Sequence, residues 1–204
     1  RSIPQVSLKQ RLLFNPELKT RNFMVPAIMG LILMIITVML TSMAIVREKE
    51  TGTIEQLIVT PIKKAPVLAG KLIPFMLIGF IDVVLVTTVA VFLFSIPFKG
   101  SAFLLFLGAL LFLFNTLGLG LFASTVSATQ QQAMMTVMFF IMMPFIYLSG
   151  FVFPVDNMPV VFQYISQIIP LTHFLVIVRG LFLKGSQFSE IWPNLTAMLA
   201  TGII

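Results

Sequence analysis

The chain has 204 residues, of which 58% are hydrophobic and only 10% are charged, and its formal net charge is +6. A typical soluble domain carries about 25% charged residues, so this composition excludes an ordinary water-soluble domain, and the scattered basic residues do not predict nucleic-acid binding because such residues commonly flank membrane helices. The absence of cysteine excludes thiolate metal sites and disulfides, and one histidine leaves little scope for a histidine-ligated metal.

Long stretches with few or no charged residues predict an all-α, polytopic bundle of transmembrane helices. The hydrocarbon core of a bilayer is roughly 30 Å thick and requires about 20 apolar residues of helix. The predicted spans occupy about 23–46, 73–95, 102–123 and 133–149. A further apolar run, 191–204, is too short to cross, so we expect it to be a truncated span and the chain to be a fragment of a longer protein.

The first predicted span starts with Pro26 in its first turn, where a missing N–H costs least, and ends at Arg47-Glu48-Lys49-Glu50. Consecutive charges are not tolerated in hydrocarbon, so the chain leaves the membrane there and stays outside until about Leu72. Within this segment, Thr53-Ile54-Glu55-Gln56 has the spacing of a capping box, and Pro61 prevents a long continuation. These features predict a short helix built to contact a partner outside the membrane; a simple charged loop is the alternative.

The predicted second span contains a single carboxylate, Asp82. An ionised carboxylate at mid-membrane costs about 2.5–3.5 kcal/mol, so it must be paired, protonated or hydrated. The structural interpretation is a hydrogen bond between helices, for example to Asn115 of the third span. The functional interpretation is a substrate-path or proton-coupling residue. A proton relay normally needs a chain of groups, which favours the structural interpretation.

Residues 150–185 are hydrophobic but are broken by Pro154, Pro159 and Pro170. Neither of the pieces between these prolines is long enough to cross a membrane, so we expect a paired re-entrant hairpin. Half-helices at membrane depth are tolerated only where other protein covers them, which predicts packing against the bundle or a partner subunit. His173, within the hairpin, is interpreted as a packing residue in preference to a pH sensor.

The segment Gly70-Lys71-Leu72 contains part of the phosphate-binding loop of nucleotide-binding proteins, whose full pattern is Gly, four residues, Gly-Lys and then Ser or Thr. The chain has Ala65 where the first glycine is needed and Leu72 where the hydroxyl is needed. No nucleotide site is therefore predicted in this chain. Any ATP on which it depends must be bound by another polypeptide or by a missing segment.

The segment from Arg47 to Pro61 closely resembles the ABC-2 type transporter permeases, the membrane subunits of ATP-binding cassette exporters. In that family the loop after the second helix reads much like Arg-Glu-Lys-Glu-x-Gly-Thr-x-Glu-Gln-Leu-x-Val-Thr-Pro. The likeness extends in the same order to four further segments, which are Asn15 to Phe23, Gln130 to Gln132, Leu148 to Pro154 and Arg179 to Lys184.

The resemblance implies that the chain holds the second to fifth helices and the start of the sixth. Residues 1–22 would be the end of an extracytoplasmic domain, and 23–204 would be the transmembrane domain. Residues 47–72 would be cytoplasmic and contain a coupling helix, and 150–185 would form an external re-entrant hairpin. The residues that it assigns to ATPase coupling are Glu48, Glu50, Gly52, Thr53, Glu55, Gln56, Leu57 and Pro61. The candidate polar or pathway residues within the spans remain Asp82 and Asn115, and the hairpin residues are Pro154, Pro159, Pro170, His173 and Arg179.

The function that the resemblance implies is that of a multi-pass permease subunit in the inner (cytoplasmic) membrane. It would dimerise with an identical or a different permease subunit, contact membrane lipids and couple ATP hydrolysis to export of a hydrophobic or amphipathic substrate, a drug or a lipid-like molecule. ATP and magnesium would be bound by separate ATPase subunits, with no cofactor bound by this chain and no enzymatic activity of its own.

Two alternatives remain open at this stage. One is a secondary transporter or channel driven by an ion gradient through Asp82. The other is a membrane anchor that holds an ATPase at the bilayer without moving a substrate.

Overall fold

The fold was derived from a computed structural model, which describes residues 20–52 and 64–203, with side chains described for 23–52 and 66–203. These residues are almost entirely helical, and no strand occurs among them, so the predicted all-α bundle is confirmed. The helices are α1 (Thr20–Glu50), α2 (Lys64–Phe92), α3 (Ala102–Val126), α4 (Gln130–Leu148), α5 (Val160–Ile168), α6 (Pro170–Lys184) and α7 (Phe188–Ile203).

Four of the described helices are long and apolar enough to cross a membrane, and the bent pair α5–α6 would count as a fifth crossing if it is one span. The long helices are Phe23–Glu50, Pro66–Phe92, Ala102–Val126 and Gln130–Leu148. Length and composition therefore agree with a multi-pass membrane protein.

Helix α1 is the central element, since it packs against α2, α3, α4 and α6. Its contact with α3 is close: a Cβ atom added at Gly120 would lie 2.8 Å from Cβ of Thr41 and 3.0 Å from the carbonyl oxygen of Val38. Small residues allow helix backbones to approach in this way. By contrast, α2 lies at the edge of the bundle and leaves side chains such as Ile81 and Leu85 exposed.

The bent pair reaches the middle of the bundle. Helix α6 runs antiparallel to α3, because Ile177 lies beside Gly108 and the ring of Phe174 stacks on that of Phe112, with centroids 4.2 Å apart. The break between α5 and α6, a bend of 85°, consequently lies opposite the central turns of α3. Helix α6 is covered by α1, α3 and α7, whereas α5 buries only Ser166.

Two boundaries differ from the sequence-based expectation. Helix α1 begins at Thr20, so Pro26 lies in its second turn and not its first. Helix α2 begins at Lys64, so the residues from there to Leu72 belong to a membrane helix and not to a separate connection. The reason is that charge marks where a chain leaves hydrocarbon, whereas a helix continues into the interface while long basic side chains reach water.

Helix α4 contains a π-helical segment, Val137–Met142, directly before Pro144. In this segment the N–H of Met143 donates to the carbonyl oxygen of Met138, five residues earlier. Proline has no N–H to donate, and an inserted residue in the helix relieves the clash of its ring. Single π turns inside α-helices are frequent at functional sites.

Candidate functional site

The charged end of α1 forms the most extensively connected polar site in the described part of the chain. The helix continues through the charged residues to Glu50, and the turn after it contains Gly52, whose φ of +73° lies in the left-handed region that favours glycine. The N–H of Thr51 donates to the carbonyl oxygen of Arg47 at 3.0 Å, and that of Gly52 to Lys49 at 3.1 Å. Arg47 itself is exposed on the surface.

Lys49 is placed against the end of α3. Its Nζ donates to the carbonyl oxygen of Ser124 and, at 3.4 Å, to that of Ser127. Both carbonyls belong to the last turn of α3 and its cap, where the intrahelical hydrogen bonds run out and the helix dipole is negative. A lysine at this point satisfies orphaned acceptors and complements the dipole.

Glu50 is placed against the start of α4. Its carboxylate accepts hydrogen bonds from the backbone N–H of Gln130 at 2.8 Å and from Nε2 of the same residue at 2.5 Å. Gln130 is the first residue of α4, which is capped by Thr129 accepting from the N–H of Gln132 at 3.2 Å. A carboxylate is favourable at the positive end of a helix, and the two donations from Gln130 lower the pKa of the Glu50 carboxyl below its usual value.

Glu48 completes the connections of this end, because it forms an ion pair with Lys71 of α2. The charged end of α1 is thus connected to α2, α3 and α4 through three successive side chains. We refer to these residues together as the α1 junction, which comprises Glu48, Lys49, Glu50, Lys71 and Gln130 with the carbonyls of Ser124 and Ser127.

The α1 junction changes the interpretation of the predicted coupling residues. Glu48 and Glu50, expected to contact a partner, both have partners within this chain. Gly52 lies next to them, in the turn that follows α1. The remaining predicted coupling residues lie outside the described residues; they are Thr53, Glu55, Gln56, Leu57 and Pro61.

Sequence reasoning missed Lys49, Lys71 and Gln130 as members of the site. One signal for the last was available, because Thr129-Gln130-Gln131-Gln132 has the spacing of a capping box and marks a helix start. An acidic residue on a neighbouring helix is a natural partner for such a start. Nothing in the sequence indicated which acidic residue that would be.

The predicted hydrogen bond between Asp82 and Asn115 is wrong. Nδ2 of Asn115 donates to the carbonyl oxygens of Leu111 and Met198 at 2.8 and 2.9 Å, and its Oδ1 accepts from Thr201 at 3.0 Å. The physical reason is rotation about α3. Leu113 is the residue that faces α2, at Gly79, and Asn115 lies about 200° further round the helix, towards α7. Asp82 keeps a buried Oδ2 that has no hydrogen-bond partner among the described residues.

The hairpin prolines stand at the starts of local elements: Pro154 before the 3-10 turn Val155–Asn157, Pro159 before α5, and Pro170 as the first residue of α6. Proline is well suited to such positions, because the N–H it lacks would have no helical partner there.

Two hairpin side chains make contacts between elements. His173 lies 3.0 Å from Oδ1 of Asn194 in α7 through Nδ1, and 2.8 Å from the carbonyl oxygen of Gln167 in α5 through Nε2. Arg179 donates to the carbonyl oxygen of Gly150 at 3.2 Å, and its guanidinium lies 3.7 Å from the centre of the Phe23 ring. Its Nε and Nη2 are buried and meet no hydrogen-bond partner in the part of the chain that the structure describes.

Over residues 20–52 and 64–203, no group of three or more His, Asp or Glu side chains is arranged to hold a metal ion. The polar contacts of the site are instead helix-end hydrogen bonds and an ion pair. Such an arrangement fastens helices to one another; it offers no nucleophile or acid–base pair for chemistry.

These features define an integral membrane protein whose helices are joined at one end by a charged junction. Residues 2–204 match the family described as ABC-2 family transporter protein. The chain belongs to this family, and it is a multi-pass protein of the inner membrane.

Several relatives share this membership. The protein named "Probable multidrug ABC transporter permease YbhS" of Escherichia coli K12 is 34% identical over 201 residues, which cover 98% of this chain and 53% of that protein. The corresponding permease YbhR is 35% identical over 186 residues, covering 91% of this chain and 50% of that protein. ABC transporter G family member 20 of Dictyostelium discoideum is 25% identical over 188 residues, covering 91% and 26%.

The chain therefore spans about half the length of the bacterial relatives that it matches. No solved structure matches it at a significant level.

Proposed function

We propose that this chain is the membrane-spanning part of an ABC exporter permease, which couples ATP hydrolysis by a separate ATPase subunit to the efflux of a hydrophobic or amphipathic substrate. The observation that carries the proposal is the α1 junction, at the charged end of α1. The segment between α1 and α2 follows directly on this junction, through which the end of α1 is connected to three other helices. An ATPase that moved this segment would act on the whole bundle.

The proposed mechanism starts with ATP, which with magnesium is bound by the partner ATPase and closes a pair of such subunits. The closing ATPases move the docked segment between α1 and α2. Helix α1 packs against α2, α3, α4 and α6, so it transmits this displacement to the centre of the bundle. Packed helices move between a few discrete arrangements, so a small shift at one end changes the population of open and closed bundles. In this proposal residues 47–72 face the cytoplasm and 150–185 face outwards.

The proposed substrate is a drug or a lipid-like molecule, and the proposed assembly contains a second permease subunit. Support for the substrate class comes from the relatives named multidrug permeases. Apolar side chains exposed along α2 and α4 are compatible with contacts to lipid, to an apolar substrate and to a second subunit. The family resemblance supports dimerisation.

The proposal is tested with the full-length permease and its ATPase in inside-out membrane vesicles, with ethidium as the transported probe. ATP is expected to drive ethidium accumulation, and a non-hydrolysable ATP analogue is not. Ethidium uptake driven by a proton gradient without ATP would contradict the proposal. ATPase binding without any ethidium movement would indicate a membrane anchor instead.

A charge reversal at Glu55 tests the docking role of the segment. Glu55→Lys is expected to abolish most ATP-dependent ethidium transport while leaving membrane insertion intact, because an acidic docking contact would become repulsive. Glu190→Lys, at an exposed acidic residue of α7, is the matched control and should transport normally. Normal transport by Glu55→Lys would count against docking through this segment.

A second candidate function, transport driven by an ion gradient, is favoured by one observation: inside a membrane helix, Asp82 has a buried carboxylate oxygen to which no described residue donates a hydrogen bond. Under this alternative, Asp82→Asn would abolish transport, since the amide cannot exchange a proton. Under the proposed function, Asp82→Asn retains ATP-dependent ethidium transport. The same vesicle assay distinguishes the two.

A further inference from the structure

We propose that Lys49 and Glu50 form a fixed clasp on the turn between α3 and α4 and on the first residues of α4, together residues 127–132. Through this clasp, the end of α1 moves α4 directly when the ATPase moves α1. This inference rests on the proposed function, and it adds the route by which the movement leaves α1. The inference assigns to Lys49 and Glu50 the transmission of movement from α1 to α4, in addition to the usual role of charged residues at the end of a membrane helix.

The first argument is the matching of charge to helix end. The cation at position 49 meets the carbonyl end of α3, and the anion at position 50 meets the amide end of α4. Each charge lies at the helix terminus that it stabilises, and exchanging the two would place each at the terminus that repels it. The contacts therefore depend on the order of the two residues and not only on their net charge.

The second argument is that the turn is itself held together and would move as a unit. The N–H of Ala128 donates to Oε1 of Gln132 at 2.9 Å, and the N–H of Gln132 donates to Oγ1 of Thr129 at 3.2 Å. Oγ of Ser127 donates to the carbonyl oxygen of Ala123 at 2.8 Å, which ties the turn back to α3. A displacement of Glu50 would therefore move the turn and the start of α4 together, without deforming the turn.

The third argument concerns what lies beyond the clasp. Glu50 contacts the first residue of α4, and the π-helical segment Val137–Met142 follows within two turns. Helix α4 buries Ala133 and Val137 but exposes Phe139 and Phe140, so one face alone is held by the bundle. A helix held on one face and already distorted near its centre is the element best able to shift when its first residue is moved.

The decisive variant exchanges the two charges, Lys49→Glu with Glu50→Lys, in the full-length permease with its ATPase. The exchange keeps net charge and composition but reverses the charge at both helix ends. The ratio of ethidium transported to ATP hydrolysed is expected to fall about fivefold or more, the range typical of coupling between sites. An unchanged ratio in the exchanged variant, with normal ATP hydrolysis, would overturn the inference.

A crosslinking experiment tests whether the clasp stays closed during transport and does not require the exchanged variant to fold. Residues 1–204 contain no cysteine. Once any cysteine elsewhere in the full-length permease is replaced by serine, Glu50→Cys with Gln130→Cys offers a single thiol pair. A short bifunctional thiol reagent that joins this pair is expected to restore the ratio lost in the uncrosslinked double variant, because the link replaces the hydrogen bonds. If closing the pair instead stops transport, the contact opens in each cycle and a fixed clasp is excluded.

The outcomes also separate this inference from the proposed function. Failure of the unmodified permease to transport ethidium with ATP would remove the proposed function. Normal ATP-dependent transport by the unmodified permease, together with an unchanged ratio in the exchanged variant, would remove only the clasp.

Discussion

The two ends of the bundle use their charged residues differently. At the α1 junction, Lys49 and Glu50 are each hydrogen-bonded to a helix end, and Glu48 is paired with Lys71. At the opposite end, Arg179 makes one hydrogen bond within residues 20–52 and 64–203, to the carbonyl oxygen of Gly150, and two of its nitrogens are buried with no hydrogen-bond partner in those ranges. A cavity of about 860 Å³ opens beside Arg179.

This difference indicates where the bundle is tightly joined and where it is loosely joined. Paired charges at helix ends stabilise one relative position of the helices. The Arg179 guanidinium has no carboxylate partner among the described residues, and one hydrogen bond and the face of the Phe23 ring hold it in place. We therefore expect the α1 junction to move as one unit and the end around Arg179 to rearrange more easily. The three predictions below test this comparison.

The largest expected effect concerns the close contact between α3 and α1 at Gly120, within the bundle on the side of the α1 junction. Gly120→Ala should destabilise the bundle by about 1–3 kcal/mol, because the new Cβ would lie 2.8 Å from Thr41 and 3.0 Å from a backbone oxygen of α1. Thermal unfolding of the purified permease in detergent measures the effect.

The matched control for this substitution is Gly118→Ala, two residues earlier in α3, where a Cβ atom would meet nothing within 4 Å. The control should keep or slightly raise the unfolding temperature, since alanine is the better helix former. Equal effects of the two substitutions would contradict the close packing of α1 on α3.

A smaller effect is expected from removing one cation at each end. Lys49→Met should cost about 1 kcal/mol, because orphaned carbonyls of α3 lose their donor. Arg179→Met should leave stability unchanged or raise it, because the methionine removes a buried charge that has no carboxylate partner among the described residues. The same unfolding assay compares the two, and a larger loss for Arg179→Met would reverse the contrast between the ends.

The smallest effect on function is expected from single cysteines that report on sidedness. Ala128→Cys, next to the α1 junction, and Phe153→Cys, at the hairpin end, both replace exposed residues and should transport normally. A membrane-impermeant maleimide is expected to label Ala128→Cys in inside-out vesicles and Phe153→Cys in intact cells. The opposite pattern would place the α1 junction outside and remove its access to a cytoplasmic ATPase.

Much of the fold followed from simple features of the sequence. Uncharged stretches predicted membrane helices because the bilayer sets a minimum apolar length, and the prolines at 154, 159 and 170 marked the interruptions of the hairpin region. The start of α2 lies eight residues before the predicted re-entry at Leu72, because the helix begins at Lys64, outside the apolar stretch. A helix does not end where its first lysine appears.

The candidate site was less accessible to sequence reasoning. Glu48 and Glu50 were recognised as unusual, but their partners Lys71 and Gln130 were not, because these lie on helices that meet α1 only after folding. The expected pairing of Asp82 with Asn115 failed for a related reason. Composition identifies polar residues in a span, but the rotation of each helix about its axis decides which of them face each other.

The amino-acid sequence by itself determined that this chain lies in a membrane as an all-α bundle, because hydrophobicity and helix length are local properties that the bilayer reads directly. It also carried the resemblance to the transporter family, through a charged segment with a distinctive order of residues. Only the tertiary structure decided that Lys49 and Glu50 lie against two different helix ends, because that arrangement depends on how α1, α3 and α4 pack together.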